Sequence, residues 1–286
     1  RFVQALGGCA GGVVARAVVR DRFNHTETAR MLSLLTLIMG LAPILAPVLG
    51  GVLLTLGGWR LNFWVLVLFG LACGAATWFW LKESRSAQTA ASETALKAYR
   101  ALLGQPRLIG YALAGGLNGA TLFTYISASP DLLIGTYGIS PSQFGWVFGL
   151  NAFGVIGASQ VNRYLLRRAT PDQVLSRASV IAVIASIALT IAALTGLGER
   201  WSVLPLLFVL LASYGFMAGN TMAGALNVDP KRSGSISALM GGASFGIGAL
   251  AASLAGVFHD GTPAPMAIVM MLALIGSGIS PSRKSV

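Results

Sequence analysis

Residues 40 to 51 read GLAPILAPVLGG, an uncharged run that sets Pro43, Pro47 and the pair Gly50 and Gly51 inside a long apolar segment. No side chain from Met31 to Leu56 is charged, and at about 1.5 Å per residue this stretch exceeds the roughly 30 Å thickness of a bilayer's hydrocarbon core. The segment therefore has the length to span. Proline removes a backbone donor and glycine removes the Cβ, so the spacing predicts a helix that bends here and lets a neighbouring backbone come close. In lipid, such breaks persist only where protein or a water-filled cavity meets the freed carbonyls. That combination points to a membrane transporter.

Composition leads to the same class. The chain is 55% hydrophobic and 10% charged, against roughly 25% charged residues in soluble domains. Charge-free windows cover 31–56, 61–81, 108–130, 132–162, 178–198, 201–228, 233–258 and 261–282. With the apolar opening from Phe2 to Ala15, nine transmembrane helices are expected. A secretory signal is a poor account of that opening, because one basic residue precedes it and basic residues follow from Arg16 to Arg22.

The run GLAPILAPVLGG resembles the fifth-helix antiporter motif of major facilitator drug exporters, with Ala46 where the motif's first glycine usually sits. RFVQALGG, at the start of the chain, is similar to the fourth-helix motif of the same exporters at Arg1, Gln4 and Gly7. FTYISASPDLLIGTYGISPSQFGWVFGLNAFG resembles helices seven and eight of the Bcr/CflA drug-resistance group, departing at Asp131, where an apolar residue is expected. The resemblance implies an all-α membrane protein of the major facilitator fold, truncated so that its nine helices are helices 4 to 12 of a twelve-helix architecture. It divides the chain into 1–82 (helices 4–6), a cytoplasmic linker 83–106 and a carboxyl-terminal six-helix bundle 107–286. Within the linker, Leu96, Tyr99 and Leu103 fall on one face of a short amphipathic helix.

The net charge of +11 invites a nucleic-acid reading, but the basic residues do not gather on one soluble face. Taking the loops in alternation, 17 of the 20 Lys and Arg lie on one side, and Arg1, Arg60 and Arg200 lie on the other. By the positive-inside rule the first side is cytoplasmic, and the carboxyl terminus with it. Nucleic acid is not an expected partner; the bilayer is. Cys9 and Cys73 show no CxxC spacing and read as buried free thiols, and no metal, Ser-His-Asp or phosphate-loop constellation can be drawn. Neither a cofactor nor an enzymatic activity is expected.

Polar or aromatic side chains near the window centres are the candidates for a cargo site: Asn118, Phe123 and Tyr125; Phe144, Phe148 and Asn151, spaced i, i+4, i+7; and Tyr214, Met217 and Asn220. Aromatic faces with a few amides suit a small amphipathic drug or metabolite, whereas the same residues also serve as glue between helices. By resemblance, Arg1 and Gln4 belong to the proton-coupling helix, and Arg20 and Asp21 to a cytoplasmic gate. Asn162 stands where the equivalent carboxyl-half motif often carries aspartate. No Asp or Glu lies well inside a window, so the proton-carrying carboxylate is expected upstream. Gly242 and Gly246 form a GxxxG step that predicts close helix packing. The expectation is a monomeric, multi-pass drug:proton antiporter of a bacterial inner membrane, working by alternating access. A proton-coupled nutrient symporter and a non-transporting membrane fragment are the alternatives.

Overall fold

A computed structural model describes the backbone of residues 3–4, 7–8, 11, 14–15, 18–19, 22, 25–81, 95–229 and 232–279. Within these stretches, the side chains of 25–30, 32–41, 43, 44, 47, 95, 142, 233 and 279 are outside the description. The described residues are all-helical, and the chain divides into two compact units, 1–92 and 93–286.

In the first unit, α1 runs from His25 to Trp80 and leaves helical geometry at Gly57 (φ −154°, ψ 18°) and Gly58 (φ 69°, ψ −175°). The backbone of 40–51, where the sequence places a bend, is helical, and the break comes seven residues later. Asn62 Nδ2 donates to Gly50 O at 3.5 Å. On a straight helix, twelve residues would separate these groups by about 18 Å, so α1 is two arms folded back at the glycine pair. Gly58 occupies a positive-φ region that is essentially closed to residues bearing a Cβ. Trp59 stacks edge-on against Phe63 at 5.8 Å, and the Arg60 guanidinium lies 4.7 Å from the Trp59 ring centre.

The second unit contains α2 (Ala95–Leu103), α3 (Pro106–Pro130), α4 (Pro141–Leu165), α5 (Pro171–Thr195), α6 (Glu199–Leu226), α7 (Ser233–Val257) and α8 (Ala264–Ile279). Helices α3, α4 and α5 each begin on proline, whose missing N–H would be unpaired at a first helical position anyway. Ser140 caps α4 through Gln143 N. Thr170 and Gln173 cap α5 reciprocally, and Gly196, in the left-handed conformation, ends it. A π-helical turn, Asp131–Thr136, extends α3.

Eight α-helices are assigned among the described residues, counting α1 with its break as one and the short α2 as another, so the nine expected transmembrane helices are not confirmed; only part of Phe2 to Ala15 is described. Segments 48–80, 143–165, 171–195, 199–226 and 234–257 are long and apolar enough to cross a membrane. The expected span at 108–130 forms its helix but is not among them. Asn118, Thr121, Thr124, Tyr125 and Ser129 lower its hydropathy, and they are tolerated because α3 is wrapped by α6, α7 and α8.

The amphipathic helix expected in the linker forms as α2, with Leu96 and Leu103 on its exposed face and Ala98 and Leu102 buried, Leu102 packed near Leu108, Tyr111 and Ile236. Two further expectations change. Cys73 lies on the exposed surface of α1 rather than in a core. Among the described residues, Gly242 and Gly246 have open space where a Cβ would stand. The close contact between α3 and α7 is made on the other face of α7: Gly116 lies against Ala243 and Ile247, Gly119 against Ser244, and Gly248 against Phe123.

Candidate functional site

Three of the proposed cargo residues meet between α3 and α4. Asn151 Nδ2 donates to Tyr125 Oη at 2.8 Å, and both side chains are buried. The Tyr125 ring stacks on Phe148 with centroids 5.5 Å apart, and Phe148 in turn meets Phe144 at 5.7 Å. Ser129 lies beside the same phenol oxygen. An amide and a hydroxyl are thus held on an aromatic wall, with the aromatic side only partly covered.

The other candidates are dispersed. Asn220 of α6 exchanges hydrogen bonds with Asn162 of α4, giving through Nδ2 at 3.0 Å and accepting at 3.4 Å, and its amide also donates to Phe216 O at 2.9 Å. The asparagine found where the family motif often has an acid is therefore half of a neutral interhelical clasp. Phe123 packs on Phe245 at 5.1 Å. Tyr214 is half-buried in α6, and Asn118 is sealed within the bundle. Gly50 faces the second arm of α1, where an added Cβ would lie 3.9 Å from Asn62 Oδ1; at Gly51 it would meet no described atom within 4 Å. Gln4 is described only as an exposed helical residue. Arg1, Arg20 and Asp21, with the side chains at Gly40, Pro43 and Pro47, lie outside the described residues.

At the predicted cytoplasmic end, a contact appears that the sequence did not reveal. Tyr111 Oη of α3 donates to Asp172 Oδ1 at 3.2 Å, in the first turn of α5, and Arg107 approaches the same hydroxyl. The tyrosine ring also lies where a side chain on Gly224 of α6 would stand. The stretch TPDQ, 170–173, forms the capped start of α5 and supplies its acid; only the tertiary fold brings Tyr111 to it.

At the other end, Asp131 is paired with His259 Nε2 at 2.7 Å, both substantially exposed. Thr136 Oγ1 donates to Gly261 O at 3.1 Å, so the π-helical turn is tied twice to the loop between α7 and α8. In that loop, Thr262 donates to Asp260 through its backbone N–H and its hydroxyl, holding the carboxyl below its ordinary range. Among the described residues there is no His, Cys, Asp and Glu cluster that would hold a metal ion.

The Major Facilitator Superfamily model matches residues 1–253. The chain is 29% identical over 273 residues to the bicyclomycin resistance protein homolog of Haemophilus influenzae, covering 94% of this chain and 68% of that protein. It is 30% identical over 286 residues to the MFS-type transporter YdgK of Bacillus subtilis, covering 97% and 70%. Identity to the multidrug resistance protein MdtL of Escherichia coli O157:H7 is 30% over 191 residues, 67% of this chain and 49% of MdtL. In structure it resembles a bacterial homolog of the human lysosomal transporter Spinster, in an inward-facing, unoccupied conformation: TM-score 0.66, 15% identity, 93% of this chain and 72% of that one. With a break that folds α1 back on itself, an all-helical second unit in which α3 packs on α6, α7 and α8, and matches along nearly all its length, the chain belongs to the Major Facilitator Superfamily.

Proposed function

We propose that the chain serves multidrug efflux across a bacterial inner membrane, in the manner its drug-resistance relatives are named for. The observation that carries this reading is similarity to a bicyclomycin resistance protein homolog over 94% of the chain. The half-buried rings of Phe144 and Phe148, the latter stacked on Tyr125 of the buried Tyr125 and Asn151 pair, support it, since aromatic faces suit flat, moderately polar organic molecules.

Within the proposal, residues 1–82 and 107–286 contribute helices 4–6 and 7–12 of the family architecture, joined by a cytoplasmic linker at 83–106. They work as a monomer by alternating access, driven by protons entering as drug leaves. Arg1 and Gln4 act at the proton-coupling helix, Arg20 and Asp21 at the inner gate, and Gly40, Pro43, Pro47, Gly50 and Gly51 as the antiporter helix. The asymmetry of 17 basic residues against 3 supports a cytoplasmic carboxyl terminus.

The test is drug accumulation in cells expressing the protein from its own gene, with a deletion strain alongside, before and after a protonophore. Lower accumulation in expressing cells, abolished by the protonophore, is the expected result. No difference across a broad drug panel would count against efflux, and energised uptake of a nutrient would favour a symporter.

A further inference from the structure

Hydroxyl side chains inside the long helices of this chain have a common habit. Thr190 donates to Ser186 O at 2.8 Å, Thr221 to Met217 O at 2.7 Å, Ser179 to Leu175 O at 2.8 Å and Ser213 to Val209 O at 2.9 Å. Each is satisfied four residues back, within its own helix. Thr121 and Thr124 of α3 depart from it. They are 1% and 0% exposed, and among the described residues neither hydroxyl has a hydrogen-bond partner. One turn earlier, Asn118 is equally sealed, with both Nδ2 and Oδ1 unpartnered. An amide offers two donor hydrogens and two acceptor lone pairs, and each hydroxyl offers both roles. All of this unmet capacity falls within about 9 Å of helix axis. Asn118, Thr121 and Tyr125 share one face of α3, with Thr124 beside it.

The chemistry of the occupant follows from what surrounds the group. It must both give and accept hydrogen bonds. It must be neutral, because α3 between Arg107 and Asp131 carries no charge and α7 and α8 hold no acid, so nothing there compensates a cation. It must also be small. A Cβ on Gly115 would stand 3.0 Å from Met240 Cε, one on Gly116 would meet the Ala243 backbone, and one on Gly276 would lie 3.2 Å from Leu117. These contacts bring α7 and α8 close to α3 beside the three side chains, which suits a small occupant better than an organic cargo group.

We propose that Asn118, Thr121 and Thr124 form an internal hydration site, in which a small cluster of water bridges the three side chains beside the Tyr125 and Asn151 pair. Buried polar groups of this kind are regularly met by water making two to four bonds. The site is independent of what the protein carries.

The test uses the full chain purified into lipid nanodiscs. Replacing unpartnered buried groups by apolar ones of similar size leaves stability unchanged or raises it, whereas removing one anchor of a shared water network orphans the others. Asn118→Leu and the gentler Thr121→Val are each expected to lower the melting midpoint by several degrees. The double variant should fall by less than the sum, because the water is shared. In radiolytic hydroxyl labelling, Tyr125 is expected to be modified on the fast timescale of bound water, and several-fold less in Asn118→Leu. Unchanged or raised midpoints in both variants, with Tyr125 unlabelled, would overturn the proposal. A midpoint that rises when sodium replaces potassium or choline would overturn it as well, in favour of a cation.

Discussion

A phenol and an amide of two helices decide much of what the cargo-site candidates do. Tyr125→Phe keeps the stack on Phe148 but strips Asn151 Nδ2 of its acceptor. The expected loss is about 1 kcal/mol, since interhelical side-chain bonds in membrane proteins average roughly 0.6 kcal/mol and reach about 1.7. Adding Asn151→Leu should return part of that loss, because both polar partners are then gone. Chemical denaturation of the purified chain measures both; a double variant worse than the sum of the singles would refute the pairing. Asn162→Leu should destabilise in the same way by leaving Asn220 half satisfied, with recovery in Asn162→Leu/Asn220→Leu. Sequence spacing set Phe144, Phe148 and Asn151 on one stripe of α4, and the structure brings Phe148 and Asn151 of that stripe to Tyr125. Spacing had no means of pairing Asn162 with Asn220, 58 residues away, because partner choice between two amides depends on helix rotation and depth, which one strand of text does not encode.

Among elements, small residues set the distance between helices. Gly215 of α6 faces the Val155 carbonyl of α4, with Ala158 Cβ at 3.0 Å from an added Cβ, and Ser159 Oγ donates to both Val155 O at 3.0 Å and Gly215 O at 3.1 Å. Gly215→Ala should therefore cost about 1–3 kcal/mol through overpacking, while Gly242→Ala, facing open space, should be close to neutral. Thermal denaturation of the two variants side by side is the check, and equal effects would contradict the assigned faces. The GxxxG step named the face of α7 that bears Gly242 and Gly246, and the close contact is on the opposite face, because α7 carries small residues all round and the pattern alone cannot choose between them. The loop between α7 and α8 gives a pH prediction. Asp260 has a depressed pKa because Thr262 donates to it, so its stabilising contribution is complete above the ordinary carboxylate pKa of about 3.9 and lost as pH falls through the lower folded value. Thr262→Val should raise the Asp260 pKa toward the ordinary range, which a carboxylate titration by NMR would follow; an unchanged titration would show that the hydroxyl does not hold it.

For the molecule as a whole, composition and charge placement made the class legible: long apolar windows, few charges and one-sided basic loops leave little besides a multi-pass membrane protein. The helices of 93–286 form a compact unit with its own core. Expressed alone in membranes, this unit is expected to retain the coupling between Tyr125 and Asn151 seen in the full chain; loss of that coupling would show that it needs residues 1–92. What composition did not foresee was α3, whose polar residues read as cargo ligands and whose sealed position makes several of them interior instead. The fold-back of α1 has its own consequence. Gly58 holds dihedrals open to glycine alone, and Asn62 reaches Gly50 across a span of only twelve residues. The reversal is thus written in short-range terms and needs no distant helix to form. A nascent chain that has been synthesised as far as Trp80 already contains both arms and the turn between them, so the two arms are expected to insert as a pair. A residue with a Cβ at position 58 would then act during synthesis, delaying insertion of the pair before any transport cycle exists to be impaired.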